Sequence, residues 1–464
     1  MLCFIPCRCL RKAFVARRRR SLGLALGGAK GRTSVSFHRA QWDLGLELRP
    51  RSVTCTTMSM SSHQSLSDLI RLEIQRASGW LGFEQFMAMA LYAPGLGYYS
   101  GSRSPFGPQG DFVTAPAISP WYGDCLARQI IQVLDAIGSD QVLEFGAGDG
   151  TLAAQILNYA AQIKRPIRYQ IIELSAGLKE QQQDRMRRAS ADTHAQVSWL
   201  ERLPDPGFRG VMLAHEVLDA MPVRLFVHRY EPQTPVQWFE RGLALKTSWQ
   251  VSDASPPWRF VDRLCEPDTS SRLDRLKAAC QQQWQEDWPD GMIIEWHEQA
   301  QAWIRSLAGV IEQGLLLLID YGFPAHEYYL PQRQQGTLMT HRQHRAGTEV
   351  LAHPGEQDVS VHVDFTAMAR VALEEGMNLS GYCAQARFLM NTGLLDIAGS
   401  WAQAQDNLRS SEAIAKLAAV QKLLSEAEMG ELFKVMALTR GLEDLELIGF
   451  RQGDRSGRLG LEPC

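Results

Sequence analysis

Acidic residues recur where short apolar runs end. Glu144 follows Val142-Leu143, Glu173 closes Ile167 to Ile172, Glu216 comes just after Val211 to Ala214, and Asp320 follows Gly314 to Ile319. Asp219 lies three residues beyond Glu216. Apolar runs bounded in this way read as buried parallel strands. In an open α/β sheet their carboxyl ends face the ligand crevice. Carboxylates at such tips can grip cations and accept hydrogen bonds from hydroxyls. After Glu144 comes a bend, Gly146-Ala147-Gly148-Asp149-Gly150, and then a helical pattern on Leu152, Ile156 and Ala160. Side chains at Gly146 or Gly148 would hold the backbone away from a ligand, and glycine alone adopts positive φ without strain. The plainer alternatives are an ordinary strand-to-helix turn and helix-start acids that favour the dipole. Position at successive strand ends favours the ligand reading.

The glycine spacing separates two ligand classes. A dinucleotide fingerprint, G-x-G-x-x-G, needs its third glycine where this chain has Thr151. The pattern present, G-x-G-x-G with an acid at the strand end, resembles the first motif of class I S-adenosylmethionine (SAM) methyltransferases. SAM carries a sulfonium cation, a zwitterionic amino acid moiety and a ribose, so carboxylates beside the turn suit it. Glu173 is placed to take both ribose hydroxyls, although an NAD-binding fold also has an acid about 20 residues after its glycines.

The 464 residues allow a large core and two to four domains. A hydrophobic content of 45%, a charged content of 21% and a formal net charge of −3 describe a globular chain with no overall basic bias for nucleic acid. No apolar run approaches the roughly 20 residues that span a membrane. Nine cysteines include no C-x-x-C pair, so neither a zinc site nor a disulfide framework is indicated, and a reducing compartment is the default. His341, His344, His353 and His362 match no metal-site spacing and read as loop histidines.

Residues 1–60 stand apart. Arg17 to Arg20, many Ser and Thr, and few acids suit a mitochondrial transit peptide, while Met58 and Met60 allow a start codon assigned too early. Residues 61–120 form a helical region followed by a Gly-, Pro- and aromatic-rich stretch, Tyr92 to Pro120, read as a lid with Asp111 and Thr114 as cofactor contacts. Residues 121–330 hold the SAM-binding core with an insertion at about 223–290, and 331–452 a C-terminal α+β extension. The pattern predicts helices over Trp121 to Ile137 and over Lys179 to Arg188, the latter exposed. Strands are expected at Val197 to Leu200 and Leu379 to Ala384, and a helical stretch over Glu412 to Met436. If the turn after Glu216 is helical, Glu216 and Asp219 share one face.

With these blocks in place the chain resembles the MidA family of SAM-dependent methyltransferases, found in bacteria and mitochondria. The likeness runs from about Ser67 to Phe450 through GYYS (Gly97 to Ser100), GDFVTAP (Gly110 to Pro116), EFGAGDG (Glu144 to Gly150), EVLDAMPV (Glu216 to Val223), IDYGF (Ile319 to Phe323), HVDF (His362 to Phe365) and MGELFKVM (Met429 to Met436). His215 departs from it, since relatives usually have Asn there. The resemblance implies an α/β class I fold and SAM as cofactor, bound by Glu144, Gly146, Gly148, Gly150, Glu173 and Asp111. It implies methyl transfer to a protein arginine, possible through the carboxylates Glu216, Asp219 and Asp320, with no metal. Its mitochondrial members act on a subunit of respiratory complex I, which implies a protein partner and the mitochondrial matrix; a bacterial member would be cytoplasmic. Competing readings are a non-catalytic SAM-binding assembly factor and an NAD-dependent oxidoreductase. The sequence leaves the oligomeric state open.

Overall fold

The protein is described by a computed structural model, which places residues 65–101, 114–189, 196–230, 237–250, 255–284, 286–343 and 345–461. The N-terminal basic segment, Asp111 and His344 lie outside the described residues. The strands, in chain order, are β1 (Leu81–Gly82), β2 (Gln141–Phe145), β3 (Arg168–Ile172), β4 (Val197–Leu200), β5 (Phe208–His215), β6 (Arg224–Arg229), β7 (Gln237–Leu245), β8 (Trp258–Leu264), β9 (Ile293–Trp296), β10 (Ile311–Phe323), β11 (Met339–Arg342), β12 (Arg345–Gly347), β13 (Asp358–Ser360), β14 (Val363–Asp364), β15 (Asn378–Ala384) and β16 (Phe433–Arg440).

The central sheet runs β15-β16-β10-β5-β2-β3-β4. β10, β5, β2, β3 and β4 are mutually parallel, and β16 is antiparallel to both β10 and β15. Its middle strands read as unbroken apolar runs because helices cover both faces. Along β10, Leu315, Leu317 and Ile319 pack with the Trp121–Ile137 and Thr151–Gln162 helices. Leu316 and Leu318, on the opposite face, pack with the Glu298–Val310 and Phe365–Glu374 helices. Chain order reverses between β2 and β5, which opens the switch-point crevice at their carboxyl ends.

A second, antiparallel sheet runs β1-β7-β6-β9 with β8 beside β7. One of its faces shares a core with the Leu66–Arg76 and Phe83–Tyr92 helices. A third sheet, β12-β11-β13, carries Asp358.

The structure redraws several boundaries. The division at residue 330 cuts the central sheet, because β15 and β16 are two of its strands. The expected helix over Glu412 to Met436 ends at Leu424, and Phe433–Arg440 forms β16. An apolar run buried on both faces has no period to distinguish strand from helix. The second sheet draws on more than the stretch 223–290, since it includes Leu81–Gly82 and Ile293–Trp296. The turn after Glu216 is not helical; Glu216 adopts φ 52° and its N–H donates to Ile319 O at 2.9 Å, so the chain breaks out of β5 sharply. The helix read as exposed, Ala176–Ala189, buries Gln182 completely.

Candidate functional site

The cofactor side of the crevice begins at the end of β2. Gly146, Gly148 and Gly150 have φ of 59°, 54° and 80°, left-handed values that explain the three glycines. A Cβ on Gly146 would come within 3.2 Å of Val217 Cγ2, so the loops after β2 and β5 nearly touch across the switch point. The Asp149 carboxylate accepts from Thr151 N at 3.0 Å, which fixes the start of the following helix, and it pairs with Arg185 at 2.5 Å.

Glu173 stands at the end of β3 with both oxygens oriented. Oε1 accepts from Ser175 N at 2.9 Å and Oε2 from Gln182 Nε2 at 3.0 Å. Gln182 is the residue the sequence reading missed here. Its amide also donates to Gly148 O at 2.8 Å, and its carbonyl accepts from Trp199 Nε1 at 2.8 Å. One buried side chain thus links the glycine bend, the ribose candidate and β4. No local pattern marks it, since its neighbours Gln181 and Gln183 are of the same type. Each Glu173 oxygen retains a lone pair for a diol, and burial raises its carboxyl.

Glu144 occupies a deeper position. It is 2% exposed, and Tyr169 Oη donates to its Oε2 at 3.0 Å. Burial, reinforced by Glu173 and Asp149 and opposed by Tyr169, pushes its carboxyl up to about 8. A folded-state value above the unfolded one means that the folded form holds the proton more tightly. The stability this gives is complete below about 4.5 and is lost as pH rises to about 8. Glu144→Gln is therefore expected to match the wild type at pH 4.5 and to exceed it by up to roughly 5 kcal/mol at pH 8. Denaturant unfolding at the two pH values tests this. Equal stability of the two proteins at pH 8 would show that Glu144 ionises freely.

Across the crevice, the loop after β5 collects acids and aromatics. Asp320, 1% exposed in β10 just past its pairing with β5, accepts through Oδ2 from Val217 N (3.2 Å), Leu218 N (2.9 Å) and Asp219 N (3.3 Å), and through Oδ1 from Tyr321 N (2.9 Å). Burial beside Asp219 and Glu216 raises its carboxyl, and the backbone donors oppose that. Its oxygens hold the 217–219 loop instead of projecting into open space. Asp219 Oδ2 accepts from Tyr321 Oη at 2.5 Å, leaving Oδ1 without a hydrogen bond among the described residues. Glu216 Oε1 is likewise unbonded, 3.6 Å from His215 Nδ1, and His215 Nε2 is unbonded too.

Burial dominates the electrostatics. It pushes Glu216 up to about 8, with Asp219 and Asp358 adding to the rise. It pushes Asp219 up to about 7 against the Tyr321 hydrogen bond. It lowers His215 to about 3, so that imidazole is neutral. Asp358, 1% exposed on β13, accepts from Tyr99 Oη at 2.9 Å, and the Tyr99 ring stacks on Tyr92 with centroids 5.7 Å apart. Tyr92 Oη donates to Ala220 O at 2.9 Å. Tyr321 was legible beside Asp320 in IDYGF, whereas Asp358 and Tyr99 are 259 positions apart and only the fold joins them.

The geometry fits a cationic cofactor bearing a diol. A side-chain-free bend, an oriented glutamate and buried carboxylate oxygens lacking donors converge on one crevice. Among the described residues, no group of His, Cys, Asp and Glu could hold a metal ion, and no helix is long and apolar enough to cross a membrane.

Comparison with known proteins agrees. Residues 125–383 match the family model described as "Putative S-adenosyl-L-methionine-dependent methyltransferase". A structure of a "likely methyl transferase" from Burkholderia thailandensis bound to S-adenosyl-homocysteine is 40% identical. It superposes with a TM-score of 0.74 over 84% of this chain and 96% of that one. The mitochondrial protein arginine methyltransferase NDUFAF7 of Homo sapiens is 28% identical over 78% of this chain and 81% of its own length. The Drosophila melanogaster homologue of NDUFAF7 is 25% identical over 84% and 89%. The cofactor is S-adenosylmethionine and the fold is that of a class I methyltransferase. The chain belongs to the MidA family of S-adenosyl-L-methionine-dependent methyltransferases.

Proposed function

We propose that the methyl acceptor is an arginine side chain of a protein. One observation carries this reading: half-buried Glu216 and buried Asp219 share the loop after β5, each with a buried oxygen that no described group satisfies. Buried carboxylates without donors are costly, and a guanidinium offers five N–H donors in a planar fork that satisfies them. Tyr92, Tyr99 and Tyr321 add aromatic surface beside the acids, which also suits a planar cation.

On this reading Gly146, Gly148, Gly150 and Glu173 hold the cofactor, and Glu144 supports the bend from beneath. Asp111 is a further cofactor contact proposed from sequence. When bound, SAM supplies an electrophilic methyl group on its sulfonium. Glu216 and Asp219 orient the guanidinium so that one nitrogen faces that carbon. The nitrogen–carbon bond forms as the carbon–sulfur bond breaks, and the nitrogen loses one proton. An ionised Glu216 accepts that proton and later releases it to solvent. Positioning supplies much of the rate. Asp320 acts through the loop it holds and is a positioning residue.

The names of the 25–28% identical relatives support arginine as the acceptor. With the resemblance to mitochondrial members that act on complex I, they make a complex I subunit the first candidate substrate and mitochondria the first candidate location. The test is to incubate the full chain with methyl-labelled SAM and that subunit, then hydrolyse the product. Label on methylarginine supports the reading. Label on another residue overturns the acceptor, and cofactor binding with no label on any subunit favours an assembly factor that acts by docking.

A further inference from the structure

A groove enclosing about 410 Å³ runs between three helices, Pro267–Trp284, Glu298–Val310 and Phe365–Glu374. Neither Glu216 nor Asp219 lines it. Its lining holds four guanidinium groups, Arg272, Arg275, Arg305 and Arg370, in a chain whose formal net charge is −3. Among the described residues Arg275 makes no ion pair, and Arg370 acts on the buried Asp364 carboxylate without reaching ion-pair distance. Arg305 approaches Glu375 only to 3.9 Å, and Arg272 lies over the Trp296 ring, 4.9 Å from its centroid. Two lining residues are acidic. Asp364 is buried and committed, because it accepts from Ala367 N at 3.0 Å and from Tyr329 Oη at 3.0 Å, which leaves Glu374 as the exposed one.

We infer that this groove docks an acidic segment of a partner protein. Four like charges on adjoining helices repel one another, and an anion that bridges them relieves that cost. The guanidinium fork matches a carboxylate with two parallel N–H bonds. The extent of the lining favours a peptide over a phosphate-bearing small molecule. The lining follows the Pro267–Trp284 helix from Arg272 to Ala279, a rise of about 10 Å. That matches roughly three extended residues. The docking role does not depend on the identity of the methyl acceptor.

The test uses the full chain and a fluorescent hexaglutamate peptide, followed by anisotropy. Saturable binding is expected, and it weakens as salt rises from 50 to 300 mM, values that shorten the screening length from about 14 to 6 Å. The double variant Arg275→Glu/Arg370→Glu should weaken it roughly 10-fold or more, by loss of charge-assisted bonds and added repulsion. S-adenosyl-homocysteine binding and thermal melting should be unchanged. If that variant fails to fold, Arg275→Gln alone should still weaken binding. Absence of saturable binding, equal binding by the folded variant, or equal binding of hexalysine would overturn the inference. Displacement by inorganic phosphate at lower concentration than unlabelled hexaglutamate would overturn it in favour of a phosphate site.

Discussion

Glu216→Gln combined with Asp219→Asn is expected to lower methyl transfer at least about 10³-fold while leaving S-adenosyl-homocysteine affinity within about 2-fold, since losing one preorganised electrostatic contact typically costs 10² to 10³. Both substitutions keep shape and remove charge. The amides cannot neutralise a guanidinium or accept its proton, so kcat falls more than KM rises. The glycine bend and Glu173, on the opposite lip, are untouched. The same carboxyls set the pH dependence. Asp219 lies at about 7 and Glu216 at about 8 in the free site, so both are protonated at pH 6. The charged pair forms as pH rises, and kcat/KM for a protein substrate should climb between pH 6 and 8.5. Asp219→Asn should remove the lower inflection. Persistent transfer by the double variant, or a flat profile in the wild type, would exclude these acids from acceptor binding.

Asp320→Ala is expected to cost roughly 3–5 kcal/mol of stability, because it removes a buried carboxylate acceptor and leaves backbone N–H donors unsatisfied. Val217 N, Leu218 N, Asp219 N and Tyr321 N lose their acceptors together. The loop they fix carries Asp219 and adjoins Glu216, whose φ of 52° is a strained value for a residue with a Cβ. Releasing the loop should let Glu216 relax and scatter the acids. Hydrogen exchange at residues 217–219 should quicken, and transfer should fall with it. A variant with wild-type stability and slow loop exchange but no activity would show instead that the Asp320 carboxylate touches the acceptor. The contrast with Asp219 is instructive. Both acids follow apolar runs and look alike in sequence, yet one has its oxygens on backbone N–H groups and the other keeps an oxygen without a donor.

The chain order of residues by itself determined the class of fold and of cofactor. Buried strands announced themselves as unbroken apolar runs, and the glycine bend named its backbone through three residues that alone tolerate left-handed φ. Acids following those runs marked the crevice, because in a parallel sheet every strand points its carboxyl end the same way. These signals are local, so they survive without a structure. Tertiary structure decided which acids are free. Four backbone amides reach Asp320, Tyr169 seals Glu144 in the sheet, and Gln182 ties Glu173 to the bend. It also decided that β15 and β16 complete the sheet and that Tyr99 meets Asp358. The reason is physical. Strand pairing and burial join residues hundreds of positions apart, and a carboxylate's protonation and reach depend on those neighbours, which periodicity does not record.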